Sequence, residues 1–217
     1  MRSAVLLALS LAGIAEAQTV DATIDRAIAT WRTVQTLRAT FEQSIVNPLT
    51  GSTMSARGEL QQRKPDRLAI TFSEPKGDRI VADGRYVWVY LQSATPGQAL
   101  KMSNSAAGAA NTDLLGQFLD APRSKYDILD AGADTVGGRR VRALVLTAKP
   151  GQALPFIRAK VWIDSEDAII RQFESTESTG LTRKVRLLSI SPNVAIDSAA
   201  FVFRVPAGVR VVEPPGF

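Results

Sequence analysis

The 217 residues include neither cysteine nor histidine, which removes disulfides, thiolate nucleophiles, Ser-His-Asp and Cys-His arrangements, and the usual imidazole or thiolate zinc sites. A 45% hydrophobic content suits one large core, and no spacing advertises a Ser-Lys or two-carboxylate mechanism, so no catalytic residue, metal or cofactor is assigned. The net charge of +5 comes from scattered residues with short clusters at Arg139, Arg140, Arg142 and at Arg183, Lys184, Arg186; without interleaved aromatics these read as solvated strand faces, not as a nucleic-acid surface.

Arg2 precedes an apolar run over residues 4–14, and Ala15-Glu16-Ala17 follows with the small-x-small pattern of a signal-peptidase site. The expectation is a signal peptide over residues 1–17, cleavage before Gln18, and a single exported domain over residues 18–217. The apolar run falls well short of the roughly 20 residues that span a bilayer. From about residue 19 to 36, Val20, Ile24, Ala27, Ile28, Trp31 and Val34 recur at helical spacing, which predicts one amphipathic helix with Trp31 on its core face.

After the helix the apolar period becomes two. Leu37, Ala39 and Phe41 alternate up to a turn at 47–51; Met54, Ala56, Gly58 and Leu60 return; Pro65-Asp66 breaks the pattern before Leu68, Ile70 and Phe72. Ile80 and Ala82 lead into Asp83-Gly84, a strong hairpin signal, and a strand over 86–91 that is apolar on both faces. Beyond Pro96 the alternation fails. A loop over 103–116 and a short helix carrying Leu114, Leu115, Phe118 and Leu119 are predicted there. Strands resume at 126–130, 135–136, 141–147, 158–164, 168–174, 182–190 and 201–205, separated by ordinary turn chemistry. So many short strands behind one long helix imply a curled antiparallel sheet, and such a sheet encloses more volume than its own side chains fill. A ligand cavity with the helices as plug or lid follows.

The ordered fragments Phe41-Glu42-Gln43, Gly58-Glu59-Leu60, Lys64-Pro65, Glu74-Pro75, Ile80-Val81-Ala82-Asp83-Gly84 and Val87-Trp88-Val89-Tyr90, then Ile170-Arg171-Gln172-Phe173 and the run from Phe201 to Val209, resemble the periplasmic outer-membrane lipoprotein carrier family LolA over nearly all of the mature chain. The resemblance implies a mainly β fold with α elements, an open, incomplete antiparallel β-barrel of about 11 strands with a helical lid. It implies a periplasmic monomer that is no enzyme and shelters the acyl chains of lipoproteins. An inner-membrane ATP-driven lipoprotein-releasing transporter would load it, and an outer-membrane acceptor, LolB or a substitute, would receive the cargo.

In that family a basic residue just before the Lys64-Pro65 proline holds the lid loops. The family most often has arginine there; this chain has Lys64, preceded by Arg63, and lysine offers a point charge where arginine offers a planar fork. The lid maps onto residues 111–119, with Leu114, Leu115 and Phe118 toward the cavity, and Trp88 and Trp31 complete the candidate apolar set. For the strand over 86–91 two alternatives stand: either Tyr86, Trp88 and Tyr90 or Val87, Val89 and Leu91 line the cavity. Competing functions are a carrier or binder of free lipids such as glycolipids, and a periplasmic lipoprotein-sensing regulatory module; an esterase is disfavoured by the missing histidine.

Overall fold

The computed structural model describes residues 8–104, 112–152 and 154–213, with side chains from Val20 onward. In chain order the elements are helix α1 (Ala8–Thr33), strands β1 (Thr36–Asn47), β2 (Ser52–Arg63), β3 (Arg67–Glu74), β4 (Arg79–Asp83), β5 (Tyr86–Tyr90) and β6 (Gln98–Ser103), a 3-10 turn (Gly116–Phe118), the one-turn helix α2 (Pro122–Lys125), strands β7 (Tyr126–Val136), β8 (Arg139–Ala148), β9 (Arg158–Asp164), β10 (Ile170–Thr176) and β11 (Thr182–Pro192), a second 3-10 turn (Ser198–Phe201) and β12 (Arg210–Val212). The first seven residues of the expected signal segment lie outside the described residues.

These elements form two compact units, one containing α1 and residues 119–182, the other residues 33–118 and 183–217. Hydrogen-bonded strand order in the larger unit is β12-β6-β5-β4-β3-β2-β1-β11, and in the smaller unit β10-β9-β8-β7. Within each row the pairing is antiparallel except for β12, which runs parallel to β6. Among the described residues no pairing joins the two ends of either row, so the sheet is unclosed, the open antiparallel architecture that the strand pattern predicts. The long hairpin of the larger unit pairs without a break from Thr36↔Arg63 to Asn47↔Ser52. Its turn is set locally: Asn47 Oδ1 accepts the Leu49 N–H at 3.0 Å, and Gly51 takes a positive φ of 68°, which glycine adopts without a Cβ penalty.

The smaller unit packs its central strands on both faces. Leu144 and Leu146 on one face of β8, and Val141 and Ala143 on the other, are all within 1% of full burial, so this strand is apolar on both sides. Ile24, Ala27 and Trp31 of α1 are buried as their spacing requires. Asp164, whose side chain is only 1% exposed, accepts hydrogen bonds from Arg139 Nε, from Arg171 Nε at 2.9 Å and from the Glu166 N–H at 2.8 Å. Desolvation pushes its carboxyl upward, but these donors and the Arg171 charge outweigh it and hold the group well below the usual carboxylate range.

Several sequence expectations are corrected in detail. Residues 201–205 are no strand: Asp197 caps a 3-10 turn by accepting the Ala199 N–H at 2.9 Å, Phe201 is buried, and the last strand comes only at Arg210. The alternation there serves a stacking contact of Phe203 instead of a ladder. The stretch just after Pro96, where the alternation fails and no strand is expected, forms β6, whose only buried side chain is Ala99. The two strands expected at 126–130 and 135–136 are one, β7, interrupted by a bulge between Asp130 and Ala133. The short helix expected around Leu114 is a 3-10 turn.

Candidate functional site

The period-two apolar positions of the larger unit converge on a cavity of about 220 Å³. Phe41 and Ile45 of β1, Leu60 of β2, Ile70 and Phe72 of β3, Ile80 of β4 and Val185 of β11 line it, with Leu91 and Leu114 from the connections. Phe41 and Phe72 meet edge to face, with ring centroids 5.8 Å apart. Gly58 falls between Ala56 and Leu60 where the β2–β3 register shifts, and a Cβ there would collide with the Thr71 carbonyl oxygen. The polar lining is sparse. Asp78, 4% exposed, is satisfied by the Ser93 N–H at 3.0 Å and by the Ser93 hydroxyl, which staples the loop after β5 to the start of β4. Met54, Ser55 and Arg183 line the cavity while being exposed or half-exposed, and so mark its opening.

The segment over residues 112–118 is anchored from β2. Gln62, 2% exposed, donates through Nε2 to Asp113 Oδ1 at 2.9 Å, and the same oxygen accepts the Gly116 N–H at 2.9 Å. The Gln62 Oε1 is buried and has no hydrogen-bond partner among the described residues. Burial holds the Lys64 ammonium below its usual range, with the Asp113 carboxylate pulling the other way. Leu114 lines the cavity, whereas Leu115 and Phe118 are completely buried and are not part of its lining. Asn111, at the start of the expected lid, lies outside the described residues.

Arg63 is engaged elsewhere. It donates to the Ile196 carbonyl and to Ser198 Oγ at 3.2 Å, and its guanidinium stands 5.2 Å from the Phe201 ring centroid. Trp88 stacks on Phe203 with centroids 5.3 Å apart and donates its indole N–H to Asp83 at 3.2 Å, so the structure does not bring it to the cavity; Leu91, from the alternate set of that segment, is the residue that lines it. Trp31 is buried on α1 of the smaller unit. The residue that sequence reasoning missed is Gln62. Its signal was present: it is the polar side chain two positions after Leu60, on the inward register of β2.

The geometry first defines a class, an unclosed antiparallel barrel with an apolar interior and a short segment anchored beside it. Residues 32–204 match the sequence profile of the outer membrane lipoprotein carrier protein LolA, and the chain belongs to that family. A Dechloromonas aromatica protein named outer-membrane lipoprotein carrier protein is 29% identical over 187 residues, which is 83% of each chain. Among solved structures, an uncharacterized conserved protein from Thermus thermophilus superposes with a TM-score of 0.56 at 12% identity, covering 90% of this chain and 99% of that one. The Mycobacterium tuberculosis lipoprotein LppX gives 0.53 at 13% identity, covering 83% and 98%. These two likenesses concern the fold alone.

Proposed function

We propose that the protein is a periplasmic carrier that shelters lipoprotein acyl chains in this cavity and shuttles them from the inner to the outer membrane. The observation that carries the reading is the cavity itself: an apolar interior, open on one side, in a chain whose relatives are named as lipoprotein carriers. Each buried CH₂ is worth about 0.8 kcal/mol, so an unshielded acyl chain of about sixteen carbons would cost on the order of 10 kcal/mol in water. At about 220 Å³ the cavity lies below the roughly 300–1,000 Å³ typical of ligand pockets. Loading therefore requires the segment over residues 112–118 to move. Leu114 touches the acyl chain, Leu115 and Phe118 form the packed base on which the segment moves, and Gln62 with Lys64 holds Asp113 in the empty form. Arg63 supports the same wall indirectly, by fixing residues 196–201. Trp88 and Trp31 serve packing in this reading.

The cycle makes and breaks no covalent bond in the carrier. An inner-membrane ATP-driven transporter supplies the lipoprotein and an outer-membrane acceptor, LolB or a substitute, takes it. The mature protein, beginning at Gln18, acts as a monomer. An apolar reporter dye bound to the purified protein should be displaced by an acylated peptide and not by its unacylated form. Equal displacement by both would point to a peptide-sensing module, and displacement by free glycolipid alone to a free-lipid carrier.

A further inference from the structure

We propose that the tip of the β1–β2 hairpin is a membrane contact, which seats in the headgroup layer of an anionic bilayer with the cavity opening beside it. Leu49 is 85% exposed, Met54 64% and Val46 39%, and all three stand at the end of one hairpin. From Gln43 to Ala56 no residue carries a charge, in a chain of which 22% is charged. Of the exposed apolar side chains elsewhere, Leu129 has Asp130 beside it, Ile157 has Arg158, Val205 has Arg204 and Val211 has Arg210, whereas Leu188 and Val202 stand singly without a charged neighbour. Exposed Leu, Met and Val side chains at the end of an uncharged hairpin suit insertion between lipid headgroups.

The charges lie just behind. Where β11 runs beside β1 the Thr40 hydroxyl meets that of Ser189, and the exposed Arg183 stands at the cavity opening with Ile45 and Met54, followed by the exposed Lys184. Apolar tip first and cations one step back is the order of acyl region and phosphates in a leaflet. Ile45 and Met54 also line the cavity, so the apolar path is continuous from tip to interior. The contact itself needs no carrier activity. Its use rests on the carrier reading: an acyl chain would pass from bilayer to cavity without crossing water.

Vesicle co-sedimentation of the purified protein, with phosphatidylethanolamine plus phosphatidylglycerol against phosphatidylcholine alone, tests this directly. Binding is expected to the anionic vesicles, about tenfold weaker for Leu49→Asp and weaker for Lys184→Gln, with dye binding by both variants retained. Leu49→Trp should show a blue-shifted emission on vesicle addition, which decides the matter should Leu49→Asp fold poorly. No vesicle binding by the wild type, equal binding to both lipids, or an unshifted Leu49→Trp emission overturns the proposal. Loss of acyl-peptide binding by the wild type with vesicle binding intact would instead sink the carrier reading and leave the membrane contact standing.

Discussion

The two units of the chain use their interiors differently. In the smaller one, β8 and β9 are buried on both faces, and Arg139 and Arg171 are paired with the buried carboxylate of Asp164. In the larger one the apolar side chains line a space they do not fill, and the buried polar groups include Gln62 and Asp78, which fasten loops. A filled interior stabilises one arrangement, whereas an unfilled one leaves room for a guest and for a segment that shifts. The difference teaches where tolerance to substitution should lie: stability should be concentrated in the first unit and ligand response in the second.

The largest expected effect is at Asp164. Replacing it with alanine leaves Arg171, only 12% exposed at its side chain, without its buried partner and should cost about 3 kcal/mol. Because the folded carboxyl is held below its ordinary value, its contribution is present above the ordinary carboxylate range and is lost as pH falls toward the depressed value. Urea unfolding at several pH values should therefore show a steeper acid loss in the wild type than in Asp164→Ala. Equal slopes would remove Asp164 from the account.

Next comes a matched pair. Leu144→Ala, in the smaller unit, should cost about 2–5 kcal/mol and leave dye affinity unchanged. Ile80→Ala, on the half-buried cavity wall, should cost less and change dye affinity. Should both variants lose stability and keep affinity, the contrast between the units fails.

Smaller again is Gln62→Leu. Loss of a hydrogen bond to the charged Asp113 is worth about 1.5–3 kcal/mol, enough to shift the segment over residues 112–118 about tenfold toward opening, while removal of the unpartnered Oε1 softens the effect on global stability. Hydrogen exchange over residues 112–118 measures it, and Lys64→Leu should move the same amides in the same direction. Unchanged exchange in both would place the hold in the packing of Leu115 and Phe118. The smallest effect belongs to Arg123→Gln, whose bonds to Asp21 and Asp25 are exposed and worth under about 1 kcal/mol; thermal unfolding should barely register it.

The sheet of the larger unit was legible because Leu37, Ala39, Phe41 and Leu68, Ile70, Phe72 repeat at the period of a strand with one face inward. The site was legible only in part. Leu114 could be read from its place in an apolar cluster, but Leu115 and Phe118 have the same chemistry and the opposite task, since burial depth is a tertiary property. Trp88 looked like a cavity residue because period-two patterning does not say which face is which; Phe203, from a distant segment, covers it. Gln62 could have been found by asking why a glutamine interrupts an inward face. Strand β6 was missed because its ladder is held by backbone pairing to β5, with little apolar side-chain signal.

The parallel pairing of β12 with β6 bears on the order in which the chain becomes safe. Gln98, Ala99 and Leu100 find their outer partners only in Arg210, Val211 and Val212. An uncovered strand offers its backbone to any extended segment nearby. During synthesis or translocation of the polypeptide, β6 stays adhesive until more than a hundred further residues have emerged. The interval between those two segments is a window for self-association, and a chain interrupted before residue 210 would never leave it.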